Sequence, residues 1–230
     1  MSLESVIIGF LLVLICAAFV ALFLRAFYRH KFTHALIFKG AASLCFVIFG
    51  AINCFINCCT PTTVLIFIAL CLGIIGDEVI ALCQVFPERD TLAFLGGGSF
   101  FIVGHVLYII SLFLLGGVNW LSLVLSFLII ASIGLVYEGR RKFLRGDMKV
   151  QLTLYLGVVV FFAAVAIGVF VKRLTLGAGL VALGGICFAV SDNVLFAYKL
   201  SDKRYFGQNI ILHLTYYVAQ FAIAWGMAFL

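Results

Sequence analysis

Apolar residues run along this chain in long stretches, separated at intervals by short polar clusters. A helix that crosses a bilayer needs about 20 mostly apolar residues. Eight stretches meet that length, at roughly 5–24, 35–56, 63–83, 91–115, 120–137, 150–171, 174–198 and 207–230. The pattern predicts an all-α fold, a polytopic membrane bundle of eight transmembrane helices. Pro61 and Pro87 both fall between stretches, where they cost no helix a hydrogen bond. No loop is long enough to form a soluble domain, so residues 1–230 are expected to make a single integral membrane domain. The first stretch does not read as a cleaved signal peptide. It is long and lacks a basic leader; Glu4 precedes it, and Arg25 and Arg29 follow it.

Composition removes the soluble alternative. Hydrophobic residues make up 66% of the chain and charged ones only 10%, where a soluble domain carries roughly 25% charged residues. The net charge of +6 does not call for a nucleic-acid partner, because basic residues of membrane proteins collect in cytoplasmic loops. One side of the expected bundle holds twelve of them: Arg25, Arg29, Lys31, Arg89, Arg140, Arg141, Lys142, Arg145, Lys149, Lys199, Lys203 and Arg204. The other holds Lys172 and Arg173, and Lys39 lies inside a stretch. The asymmetry predicts that both termini are extracytoplasmic. Short loops and a lean chain favour a bacterial plasma membrane.

Inside the stretches, Asp77 and Asp192 stand out. A carboxylate at a helix centre costs on the order of 2.5–3.5 kcal/mol even on lenient insertion scales, and such residues commonly mark pathways or active sites. Each begins a similar run, Asp77-Glu78-Val79-Ile80 and Asp192-Asn193-Val194-Leu195. Each lies six residues from the basic-side end of its stretch, and Lys39 lies four residues into its own. At about 1.5 Å per residue, the three share a depth some 6–9 Å below the cytoplasmic interface. His105 is nearer mid-membrane, with Tyr216 and Gln220 between. The other half of the bundle is almost free of ionisable groups. The expectation is a cavity open towards the cytoplasmic leaflet and closed at its outer end.

Polar residues at helical spacing support inward faces. Lys39, Ser43, Gly50 and Asn53 form one stripe, Gly97, Phe101, His105 and Tyr108 a second, and His213, Tyr216, Tyr217 and Gln220 a third. Facing lipid, these groups would go unsatisfied. Gly96-Gly97-Gly98 and Gly184-Gly185 permit close helix approach. Asp77 and Asp192 are the candidate catalytic pair. Lys39, Glu78, His105, Tyr108, Ser191, Asn193, Tyr216, Tyr217 and Gln220 are candidate substrate contacts, although Glu78 is turned about 100° from Asp77 on its helix. Three carboxyls and one ammonium cannot all stay ionised cheaply in a low dielectric, so the count calls for a carboxyl that keeps its proton and can act as a general acid. A faint repeat, Asp77 then His105-x-x-Tyr108 against Asp192 then His213-x-x-Tyr216, would make a 4+4 pseudo-repeat; chance is the simpler account.

Metal and redox chemistry find little footing. His105 and His213 lack a clustered ligand pattern, and no cofactor is called for. Cys16, Cys45, Cys71 and Cys187 lie in apolar stretches, where Cys is a small hydrophobe. Cys58-Cys59 sits in a short loop with no further redox motif.

Gly76-Asp77 with Leu82 behind it, Phe101-x-x-Gly104-His105-x-x-Tyr108, Phe188-x-x-Ser191-Asp192 and Tyr216-Tyr217-x-Ala219-Gln220 together resemble the YhhN-like family, the lysoplasmalogenases. Order and approximate spacing match from Lys39 to Gln220. The family often has Lys-Pro in the second span, whereas Gly40 follows Lys39 here. The resemblance implies a membrane hydrolase that cleaves the vinyl-ether bond of lysoplasmalogens, with a lysophospholipid substrate and membrane lipids as its partners. That chemistry needs an acid, a group to orient water, and negative charge near a developing oxocarbenium ion, much as in two-carboxylate glycosidases. A proton-coupled small-molecule transporter and a lipid-binding membrane protein are the alternatives, since buried carboxylates also serve as proton relays.

Overall fold

The computed structural model describes residues 3–116, 120, 123–127, 146–200 and 206–230. Seven long helices account for most of them: α1 Leu3–Tyr28, α2 Phe32–Ile56, α3 Pro61–Val85, α4 Asp90–Leu114, α5 Gly146–Arg173, α6 Leu176–Leu200 and α7 Phe206–Gly226. Each contains a segment long and apolar enough to cross a membrane. The chain is an integral membrane protein. Among the expected spans, 120–137 falls mostly outside the described residues, and so does the question of a 4+4 repeat; residues 123–127 of it are helical.

Local chemistry sets the helix ends. Thr60 caps α3 by accepting a hydrogen bond from the Thr63 N–H at 3.3 Å, and Pro61 occupies the first turn, where a missing N–H costs nothing. Pro87 opens a single 3-10 turn, Pro87–Arg89, that leads into α4. Left-handed backbone at His30, at Cys58 and Cys59, and at Leu174 turns the chain after α1, α2 and α5. α2 is unbroken through Lys39 and Gly40.

Helices α3 and α4 pack closely, as do α6 and α7, and α1 lies along α2. Glycines set the closest crossings. A Cβ at Gly97 would stand 2.5 Å from Ile80 Cγ1 and 2.6 Å from the Gly76 carbonyl oxygen; one at Gly184 would stand 2.5 Å from Ile223 Cγ1. The side chains Phe46, Phe49, Leu70, Leu112, Phe162, Phe188 and Ile223 fill the centre, while a belt including Phe10, Leu14, Phe55 and Leu92 faces outward, as lipid contact requires. α1 is the least enclosed helix: 17% of its apolar window is buried, against 67% for α7.

α4 and α5 run parallel. Lys172 Nζ at the end of α5 donates to the Gly116 carbonyl at 2.8 Å, and Arg173 donates to the Leu115 carbonyl at 3.1 and 2.8 Å. The bundle therefore has two distinct ends. One carries the α1–α2, α3–α4 and α6–α7 connections; the other carries Lys172, Arg173 and the C-terminus. At this second end Asn53 Nδ2 donates to the Ala224 carbonyl and Asn57 Nδ2 to the Met227 carbonyl, both at 2.9 Å, closing α2 against the end of the chain.

Candidate active site

Asp77 faces α2 from the second half of α3. Lys39 Nζ lies 2.7 Å from its Oδ1 and also donates to its backbone carbonyl at 3.0 Å, so one ammonium ties two acceptors of one residue. Ser43, one turn further along α2, donates to Asp77 Oδ2 at 3.0 Å. The Tyr217 hydroxyl, from α7, lies 3.3 Å from Ser43 Oγ and donates to the Lys39 carbonyl at 3.3 Å. Both Asp77 oxygens are thus held, and its charge is balanced inside the protein. The pair is buried on both sides, so the arrangement depends on these bonds: removing one partner would leave an uncompensated charge in a low dielectric.

Asp192 has a different setting. It is 4% exposed and accepts a hydrogen bond from the Tyr155 hydroxyl of α5 at 3.0 Å. Among the described residues it makes no ion pair. Ser191, beside it, donates to the Leu212 carbonyl at 3.1 Å and pins α6 to α7.

Both aspartates line one cavity of about 80 Å³, enough for several waters. Lys39, Gln84, Ser191, Tyr198, Asn209, His213 and Tyr216 supply the rest of its polar wall; Phe23, Phe27, Phe32, Phe101 and Leu195 are among its apolar residues. It lies at the end of the bundle that carries the α1–α2, α3–α4 and α6–α7 connections. There a wider space of about 600 Å³, bordered by Tyr28, His30, Pro87 and Asp90, shares Phe27, Phe32, Ile80, Gln84, Leu195 and Tyr198 with it.

A model of the YhhN family matches residues 33–227. The chain belongs to the YhhN family. The family is associated with hydrolase-type activity, and no curated protein or solved structure matches the chain. The matched range takes in every polar residue of the cavity and leaves α1 outside it.

In this YhhN-family protein, the sequence-derived candidates separate into two groups. Asp77, Asp192, Lys39, Ser191 and Tyr216 meet at the cavity. His105 and Tyr108 do not line it. His105 is 1% exposed in an aromatic box of Tyr108, Tyr155, Phe162 and Phe188, with Nδ1 2.8 Å from the Phe101 carbonyl. A carbonyl only accepts, so the proton sits on Nδ1 and Nε2 presents a bare lone pair. Tyr108 reaches the site indirectly: it donates to Gln220 Oε1 at 3.3 Å, and Gln220 Nε2 donates to the Tyr216 hydroxyl at 3.1 Å. Tyr217 bonds around the ion pair without lining the cavity. Asn193 is spent on its own helix, donating to the Ala189 carbonyl at 2.7 Å. Glu78 is half-buried and turned to α2, with its carboxyl group beside Gly40.

Gln84, Tyr198 and Asn209 of the cavity wall, and Tyr155 behind Asp192, are not among the sequence-derived candidates. Tyr155 lies in an apolar stretch, yet Gln151, one turn before it, makes an i, i+4 polar pair with it. Gln151 Nε2 donates to the Leu95 carbonyl at 2.6 Å, so this pair does face inward. Asn209 sits near the start of α7, where it bonds the Tyr28 hydroxyl at 3.1 Å; it lies four residues before His213 and extends the stripe of His213, Tyr216, Tyr217 and Gln220 by one turn.

Proposed function

We propose that this protein hydrolyses the vinyl-ether bond of lysoplasmalogens, releasing a fatty aldehyde and a glycerophospho-headgroup. The observation that carries this reading is the unequal pair of carboxyls in one cavity. Among the described residues, Asp77 has a cation and a hydroxyl donor, and Asp192 has only the Tyr155 hydroxyl. A buried carboxyl without a cation is cheaper neutral than charged. Asp192 is therefore the general acid and delivers its proton to the vinyl carbon remote from the ether oxygen. The oxocarbenium ion that forms is offset by the Asp77 carboxylate, which also orients the attacking water. As water adds to that ion, its spare proton passes to the Asp192 carboxylate and restores the acid; the hemiacetal then collapses, its hydroxyl proton moving to the leaving ether oxygen, and frees the aldehyde and the alcohol. Family membership supports the reaction class, and the excess of basic residues on one side supports a cavity mouth facing the cytoplasm.

The test is aldehyde release from lysoplasmalogen by the purified protein in detergent. Asp77→Asn and Asp192→Asn keep the shape of the side chain but can neither give an acidic proton nor accept one. General acid–base groups contribute about 10²–10⁴-fold, and each variant is expected to lose activity on that scale. Glu78→Gln, turned away from the cavity, should lose far less. Near-normal turnover by Asp192→Asn would end the two-carboxylate mechanism. A wild type that releases no aldehyde but takes up a solute into vesicles would replace it with transport.

A further inference from the structure

α1 meets α7 at two levels. Phe23 lies 4.7 Å from the ring of His213, and Phe10 lies 5.2 Å from the ring of Trp225, centroid to centroid. Between these levels the helices part and leave a groove of about 490 Å³. Val13, Ala17 and Ala21 wall it on α1; Leu214, Val218 and Phe221 wall it on α7. Leu214 and Val218 are exposed, so the groove opens sideways to the bilayer. At its far end Trp225 is wedged edge-on between Phe10 and Phe49. At its near end stands His213, which also lines the cavity of the two aspartates. From His213 to Trp225 is twelve residues of helix, about 18 Å at 1.5 Å per residue. That is close to the roughly 15 Å of hydrocarbon in one leaflet.

We propose that this groove takes the single hydrocarbon chain of a lysophospholipid whose polar end enters the aspartate cavity through His213. The proposal rests on the lipid-hydrolase reading and adds where the chain lies. Three observations select one chain over bulk lipid. The groove and the polar cavity share one wall residue, His213. It is closed at the other end by a packed tryptophan. Its α1 wall is lined by alanines at a four-residue spacing, which leave a slot where larger side chains would close it. α1 lies outside the range matched by the family model.

Blocking the slot at two depths tests it. Ala17→Trp fills it midway and Val13→Trp fills it nearer Trp225; Ile15→Trp, on the opposite face of α1, is the control. Each methylene lost from a hydrophobic pocket costs on the order of tenfold in discrimination. kcat/KM over a series of chain lengths should shift to shorter chains in Val13→Trp, to still shorter ones in Ala17→Trp, and not at all in Ile15→Trp. The second arm uses the wild type, with a lysophospholipid carrying a photoreactive group at the chain terminus. Crosslinks at Val13, Phe221 or Trp225 are expected, undiminished by excess diacyl phospholipid. Unchanged chain preference in both blocked variants would overturn the groove while leaving the reaction standing. Equal labelling by a diacyl probe would reduce the groove to ordinary lipid contact and also overturn it. Specific labelling without any aldehyde release would keep the groove and remove the reaction.

Discussion

Tyr155 touches Asp192 from α5, outside the cavity wall, so its hydroxyl fixes the carboxyl without meeting substrate. A hydrogen bond to a buried group that carries or passes charge contributes about 1.5–3 kcal/mol. Tyr155→Phe is therefore expected to lower kcat by about ten- to hundredfold with little change in KM, because it loosens the acid and leaves the substrate's own contacts in place. Steady-state kinetics on monodisperse protein checks this; a rise in KM at constant kcat would make Tyr155 a binding residue instead. The contrast with Asp77 shows what a sequence reveals at this scale. Lys39, Asp77 and Ser43 could be matched because ionisable groups are rare in apolar helices and their depths can be counted. Which of several buried hydroxyls reaches Asp192 depends on how helices rotate against one another, and that is not written in the spacing. His105 makes the same point. Its position on a polar stripe was legible, but its ring is enclosed by Phe162 and Phe188, away from the cavity.

The helices themselves were readable, because apolar length fixes a span and proline, threonine and glycine mark its ends. What glycine triplets do not disclose is which member carries the crossing. In Gly96-Gly97-Gly98 it is Gly97, whose missing Cβ admits Ile80 and the Gly76 carbonyl. Gly97→Ala would force α3 and α4 apart, and overpacking of this kind costs typically 1–3 kcal/mol. A lower thermal midpoint in detergent is expected. Gly96→Ala is the matched control: its nearest neighbour would be Val79 Cγ1 at 3.6 Å, an ordinary contact, so stability should hold. Equal destabilisation by both would mean that the triplet acts through backbone freedom rather than close approach.

For the molecule as a whole, parallel packing of α4 and α5 places the two ends joined by residues 117–145 at opposite faces of the bundle. Both termini are expected outside the cytoplasm, on the count of basic residues. A C-terminal reporter that works only in the cytoplasm should stay silent in intact cells; a fully active one would turn the cavity to the other face. In either orientation, the ion pair gives the site an electrical property. Lys39 and Asp77, 2.7 Å apart, sit at one depth and sum to no net charge. A membrane voltage is worth about 2.3 kcal/mol per elementary charge per 100 mV, but only for net charge carried along the field. It does no net work on two opposite charges that stay together. An energised membrane therefore finds no handle on this pair, and acts on the site only through charge that moves, such as a proton travelling to or from Asp192.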